Sequence, residues 1–480
     1  MSKLQGLTKA TVRGALWTYG AFIAGKGLVF VSTVILARLL APDDFGLLAL
    51  GLTVLNYFDA LSELGVGDAL IYRQEDTEVI TSTAFYISMG TGLVLALIAL
   101  LISPWVGVFF DEPRVVPLVQ VLAIKLVFTS LGSIHSALLK KRLDFRRRFY
   151  SGIGRSFFKG GISVLLAWMG FGVWSLVWGQ LGGELVATLI LWWVTRWKPR
   201  RSFELKKVKQ LVGYGSQMVL LNLLGMLDDN LDYLMIGRRL DTVQLGYYYL
   251  AFRMPELVII NICYVVSQAV FPAYARIQND FQALRLGYLT TLRYVSLITV
   301  PAGIGLVVIT PIFVHLFYTE RWSPAIPVMQ TLAIYSVVYS LVFNSGDIYK
   351  AIGRPAILNQ LGMVKLMVLI PVLWIAAGFG ILYVAIGHLA VMVILAIARM
   401  WIVVKVIAVQ PSAIVEALRP SLIAAGIMFA TTYGLYTQIL NVNLIFQLTI
   451  LLLVGIVVYI STLWFTDRTV FKQVAGFISV

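Results

Sequence analysis

Fourteen stretches of this chain are apolar over about the 20 residues that a helix needs to cross a bilayer, and the segments between them are short. Hydrocarbon offers an unpaired peptide group no partner, so each stretch is expected to satisfy its own backbone as a helix. The expected spans are 13–40, 45–64, 80–103, 115–137, 152–169, 171–195, 211–236, 245–270, 288–317, 325–348, 357–377, 379–403, 418–438 and 444–465. No linker is long enough to hold a soluble domain. The fold class is therefore an all-α integral membrane protein. Its composition agrees: 59% of the 480 residues are apolar and only 13% charged, a balance outside the range of soluble domains.

Orientation follows from the basic residues, which collect on the cytoplasmic side of membrane proteins. If the N-terminus is cytoplasmic, 28 of the 38 Lys and Arg residues fall in inner segments and 5 in outer ones, with the remaining 5 inside helices. The densest inner segments are 138–155, with KKRLDFRRRF and Arg155, and 196–210, RWKPRRSFELKKVKQ. Both termini are then cytoplasmic. The net charge of +15 is an inner-face signal with some attraction to anionic lipid, and nucleic acid is not an expected partner. The N-terminal MSKLQGLTKATVRGAL is followed by no small-residue cleavage site, so it reads as the start of a retained helix. A lone cysteine, Cys263, excludes a disulfide framework.

The helices repeat. Residues 36–50, LARLLAPDDFGLLAL, match 236–250, IGRRLDTVQLGYYYL, at Arg38/Arg238, Leu40/Leu240, Gly46/Gly246 and Leu50/Leu250. PLVQVLAI at 117–124 matches PVMQTLAI at 327–334, and Phe171-Gly172 and Gly179 match Phe379-Gly380 and Gly387. Three segments recurring in order at nearly one spacing indicate a doubled unit. The expected organisation is an N-lobe of six helices (1–195), a basic cytoplasmic linker (196–210), a C-lobe of six helices (211–405) and two additional helices (406–480). Six being even, the lobes enter from the same face and form a parallel repeat, an arrangement found in transporters whose substrate path runs between lobes.

Ionisable groups at bilayer depth cost about 2.5–3.5 kcal/mol on insertion scales and so tend to face a cavity or a partner. Lys26, Lys125, Lys159, Glu184, Glu256, Lys365 and His388 fall near helix midpoints, Asp228, Asp229, Asp232 and Arg253 somewhat outward, and Asp59 and Asp347 nearer inner ends. Lys26, Lys125 and Lys365 have no evident local acid and are candidates for gripping an anionic cargo. Lys159 occupies the helix equivalent to that of Lys365 and joins them, although Lys159 and Glu184 on consecutive helices read equally well as an ion pair. Arg253 is expected to pair with Asp229 or Asp232 and tie the seventh helix to the eighth. His388 is expected to make an interhelix contact. Trp192, Trp193, Trp197, Trp322 and Tyr247–Tyr249 read as interfacial belts, and the pairs Gly160-Gly161 and Gly182-Gly183 as close helix packing.

The stretches LARLLAPDDFGLLAL, DDNLDYLMIGRRLDTVQLGYYYLAFRMPEL and FPAYARIQND resemble the polysaccharide flippase family of the multidrug/oligosaccharidyl-lipid/polysaccharide exporter superfamily, nearest its colanic-acid and teichuronic-acid exporter branch. The resemblance covers nearly the whole chain. It implies a flippase of the bacterial cytoplasmic (inner) membrane that turns polyprenyl-diphosphate-linked oligosaccharide units outward by alternating access of two lobes, for surface polysaccharide biosynthesis. Lys26, Lys125, Lys159 and Lys365 would hold the diphosphate. Glu184, Asp228, Asp229, Asp232, Arg253, Glu256 and His388 would serve in coupling or ion pairing. Partners are then the bilayer, the lipid-linked oligosaccharide and other polysaccharide-assembly membrane proteins. The alternatives are a multidrug extruder of the same superfamily, with Asp229, Asp232 and Glu256 binding cations, and a glycan polymerase or ligase, which the short outer loops disfavour. No Walker A, dinucleotide or His-rich metal motif occurs, so no cofactor and no metal are expected.

Overall fold

In the computed structural model the described residues are 25–62, 66–67, 70, 78–142, 144–204 and 225–468. Among them fourteen helices follow one another: α1 (25–39), α2 (Pro42–Ser62), α3 (Glu78–Phe110), α4 (Val115–Lys141, with one turn residue at Ala123), α5 (Phe145–Trp168), α6 (Val173–Thr195) and α7 (225–239); then α8 (Thr242–Arg276), α9 (Phe281–Tyr318), α10 (Ala325–Ala351), α11 (Ala356–Ala377), α12 (Ile381–Ile407), α13 (Pro411–Gln438) and α14 (Leu444–Thr466). Every expected span overlaps its own helix. The start of the first span at 13, the retained N-terminal segment, the first half of the seventh span and part of the basic linker lie outside the described residues. Among the described residues eleven helices are long and apolar enough to cross a membrane, and the chain is a multi-pass membrane protein. Large apolar side chains such as Val108 at 77% and Phe465 at 78% exposure stand outward, where a bilayer covers them.

Local chemistry sets several of the helix ends. Asp144 accepts from Arg147 N at 3.1 Å, Asp280 from Ala283 N at 3.0 Å and Asn443 from Ile445 N at 2.8 Å, each satisfying a donor that the first turn leaves without an intrahelical acceptor. The matched Phe-Gly pairs explain themselves: Gly172 (φ 53) and Gly380 (φ 113) both adopt backbone conformations that side chains resist, at the equivalent entries to α6 and α12.

The chain divides into two compact units, residues 1–246 and 247–480. In the first, α5 and α6 approach so closely that a Cβ on Gly179 would lie 1.8 Å from Ser163 Oγ and one on Gly183 would lie 2.8 Å from the Arg155 carbonyl oxygen; close packing holds for Gly160, Gly182 and Gly183 but not for Gly161, which has no neighbour within 4 Å. The start of α2 also crosses the first turn of α8. There a Cβ on Gly46 would meet the Thr242 carbonyl oxygen at 1.7 Å, and one on Gly246 would meet the Pro42 carbonyl oxygen at 1.8 Å. These two glycines are the matched pair of the internal repeat, and each contact is the mirror of the other. Beside the crossing, Asp43 accepts from the Thr242 hydroxyl and, at 2.7 Å, from Arg114, which also holds Glu112 at 2.8 Å.

In the second unit α13 and α14 dock against α9. Tyr459 donates to the Leu297 carbonyl at 2.8 Å, Ser421 to Ser296 at 3.1 Å, and Arg293 pairs with Asp467. A buried apolar cluster of Tyr288, Tyr349, Val403 and Ile414 joins α9, α10, α12 and α13.

Trp193, 71% exposed, suits the aromatic-belt expectation, which fails at Trp322 and Tyr248. Trp322 and Tyr248 are fully buried; Trp322 packs edge-on to Tyr247 and Tyr318. Trp192 stacks on His135 and donates to the Leu131 carbonyl at 3.0 Å. Proximity to a helix end does not decide whether a ring turns to lipid or to a neighbouring helix.

Candidate functional site

One face of α5 gathers the cations of the first unit. Arg148, Arg155 and Lys159 are separated by seven and four residues, so at 3.6 residues per turn they project within about 20° on either side of one line. Arg155 donates to the Glu184 carboxylate of α6 at 2.9 Å, and Glu184 is buried. This corrects the expected Lys159–Glu184 pair: the glycine contact at Gly183 sits against Lys159 and Arg155 together, and the carboxylate on the next residue takes Arg155. Lys26 lies on the adjoining α1, whose Ser32 Cβ is 2.8 Å from where a Gly160 Cβ would be and whose Gly25 faces Ser156. That register brings Lys26 and Lys159 onto neighbouring helices within about one turn of each other.

Lys125 is different. Its ammonium forms a short ion pair with Asp59 of α2, both side chains largely buried, so the expectation that it lacks a local acid is corrected. Sequence position put Asp59 near an inner helix end and gave no indication that α2 and α4 place it beside a lysine 66 residues further on.

On α7, Asp232 is buried, Asp228 half-buried and Asp229 exposed. Asp229 and Asp232 act electrostatically on the Tyr57 hydroxyl of α2, and Asn56 donates to Asn230 at 3.2 Å. Asp229, Asp232 and Asn230 of α7 thus face polar groups of α2.

In the second unit Arg253 holds Glu256, one turn on, at 3.1 Å and lies 4.3 Å from the centre of the Tyr249 ring. Its acid partner within this unit is thus on its own helix. Glu256 follows Pro255 and opens a π-helical turn, Glu256–Ile260, the kind of insertion that reshapes a helix at functional positions. Asn261 donates its side-chain amide to the Glu256 carbonyl at 2.9 Å. His388 is buried with its ring 4.5 Å from Tyr335, an interhelix contact as expected though through ring packing. Lys365, only 8% exposed, sits midway along α11. An apolar cavity of about 420 Å³ opens among α8, α9, α13 and α14, lined by Met254, Val258, Pro301, Met428, Leu451 and Tyr459.

Sequence reading missed Arg155 and Arg148 as site residues because both counted as inner-surface charge. The signal that finds them is their spacing with Lys159 on one helix face.

A family model described as "Polysaccharide biosynthesis protein" matches residues 35–327. The chain is 28% identical over 371 residues to the lipopolysaccharide biosynthesis protein WzxC of Escherichia coli (strain K12), covering 76% of this chain and 75% of that one. It is 25% identical over 353 residues to the teichuronic acid biosynthesis protein TuaB of Bacillus subtilis (strain 168), covering 73% of each. Among solved structures, the lipid II flippase MurJ in an inward closed conformation superposes with a TM-score of 0.79 at 16% identity, covering 95% of this chain and 100% of that one. An inward-facing multidrug-resistance MATE transporter gives 0.65 at 17% identity, covering 80% and 94%. At these identities the two structural likenesses establish a shared fold.

Proposed function

Because the chain belongs to the polysaccharide biosynthesis protein family, whose model spans 35–327, we propose that it is a flippase of the cytoplasmic membrane. Its cargo is a polyprenyl-diphosphate-linked oligosaccharide repeat unit, turned from the inner to the outer leaflet for surface polysaccharide synthesis. The lobes are 1–195 and 211–405, joined by 196–210 and followed by added helices in 406–480, with both termini cytoplasmic as the 28 to 5 division of basic residues favours. It works as a secondary-type transporter by alternating access of the lobes.

The observation that carries this reading is the cationic face of α5 with Lys26 beside it. Across α1 to α6, the depth charges described are Lys26, Lys125, Arg155 and Lys159 against Asp59 and Glu184, a balance that suits an anion. Lys26, Lys159 and Lys365 hold the diphosphate. Lys125 contributes by releasing Asp59 as the cargo arrives. Glu184, Asp228, Asp229, Asp232, Arg253, Glu256 and His388 tie helices and carry coupling charge. The apolar cavity beside α13 and α14 suits part of a prenyl chain, since burying methylenes there is favoured at about 0.8 kcal/mol each.

Charge reversal tests the site. Lys26→Glu and Lys365→Glu are expected to abolish export of the surface glycan while membrane insertion, followed by immunoblot of the membrane fraction, stays at the parent level. Normal glycan export by both inserted variants would refute the assignment. Deletion of the protein is expected to remove a surface glycan; altered drug susceptibility with every glycan intact would favour a cation extruder instead.

A further inference from the structure

The first unit holds a second space, apart from the Lys26–Lys159 pair and from Lys365. A polar cavity of about 300 Å³ lies among α3, α4, α5 and α6, walled by Lys140, Arg148 and Arg155, by Glu184, and by hydroxyls including Thr129. Its volume is at the lower end of small-ligand sites. Thr129 and Lys140 are 11 residues apart on one helix, so the cavity reaches roughly 16 Å along α4. Lys140 in the last turn of α4 and Arg148 in the first turn of α5 line one end of it.

The charges on its walls do not balance. Among the described residues Glu184 is the one carboxylate lining the cavity, and Arg155 already holds it at 2.9 Å. Neither Lys140 nor Arg148 has a carboxylate within ion-pair reach among the described residues, and the like charges of Arg148 and Arg155 repel across the same space. Thr129 adds a buried hydroxyl oxygen with no hydrogen-bond partner. A planar guanidinium, an ammonium and a hydroxyl donor converging on one space are the groups that bind phosphate oxygens. Among the described lining residues this leaves two net positive charges, which suit a dianion.

From this geometry we infer that the cavity is a binding site for a phosphate or diphosphate headgroup, held by Lys140, Arg148 and Thr129 with Arg155 kept in place by Glu184. Because Arg148, Arg155 and Lys159 share a face of α5, an anion seated here stands at the foot of a cationic row that climbs toward mid-membrane. The binding inference stands whether or not the cargo is the one proposed above.

The test uses the full chain in nanodiscs of phosphatidylcholine, titrated calorimetrically with inorganic pyrophosphate and with farnesyl diphosphate, and repeated in nanodiscs containing phosphatidylglycerol. The variants are K140Q/R148Q, which leaves the Arg155–Glu184 pair intact and neutralises two cationic side chains of the wall, and T129V. Both diphosphates are expected to bind the parent and to weaken by roughly tenfold or more in K140Q/R148Q, as loss of two charge-assisted contacts implies; T129V weakens them less. If instead phosphatidylglycerol raises the thermal stability of the parent but not of K140Q/R148Q, and no diphosphate binds, the occupant is a bilayer phospholipid headgroup and the phosphate site stands. Equal diphosphate binding by parent and K140Q/R148Q, or no binding and no lipid effect in either, overturns the inference.

Discussion

Replacing Gly46 with alanine tests the reading of the α2–α8 crossing. The new Cβ would fall 1.7 Å from the Thr242 carbonyl oxygen and 3.1 Å from Gly246 N. Non-bonded atoms prefer separations near 3.5 Å, so the two backbones must part by roughly 1.5–2 Å. The blocking atom is a main-chain oxygen and cannot swing aside as the tip of a side chain does. Overpacking of this kind costs about 1–3 kcal/mol, and separation also stretches the bonds from Thr242 and Arg114 to Asp43, which puts the expectation near the top of that range. For a unit of this size 1 kcal/mol corresponds to about 2–4 °C in Tm, so G46A is expected to melt roughly 5–10 °C below the parent when unfolding is followed by tryptophan fluorescence in nanodiscs. G246A, whose Cβ meets the Pro42 carbonyl oxygen at 1.8 Å, should fall by a similar amount. The double variant should lose less than the sum, because helices already pushed apart by one methyl accommodate the second. A G46A protein melting within about 1 °C of the parent would refute the crossing.

Three further outcomes are expected. Lys125→Met or Asp59→Asn, each leaving one largely buried charge alone, should each destabilise by about 2–4 kcal/mol, and the double variant should recover part of that loss in a thermal double-mutant cycle. Trp322→Ala removes a fully buried ring and should cost about 3–5 kcal/mol, measurable as a lower Tm; an interfacial belt residue would lose far less. The bonds from Arg114 hold the Glu112 carboxyl below its ordinary range despite partial burial. A depressed acid contributes stability that is complete above its unfolded pKa of about 4.3 and lost as pH falls through the folded value. The Tm advantage of the parent over Arg114→Gln should therefore be constant between about pH 5 and 8 and shrink only below about pH 4.

Much of this was legible from the chain alone. The count, order and approximate ends of the helices follow because hydrocarbon demands about 20 apolar residues and a self-satisfied backbone, and the chain supplies fourteen such runs. The repeat was legible at Gly172 and Gly380, where a left-handed backbone requires glycine in both copies, and at Gly46 and Gly246, though not that those two residues touch. Which charges belong together was hidden. Lys125 meets Asp59, and Glu184 takes Arg155 in place of Lys159. Burial of Trp322 and Tyr248 was hidden too. The division has one physical cause. Insertion into lipid is decided run by run, from the hydropathy of each segment taken alone. Pairing depends on which helix faces lie against one another, and those faces are chosen by close contacts, such as Gly183 against Arg155 and Lys159, between residues far apart in the chain.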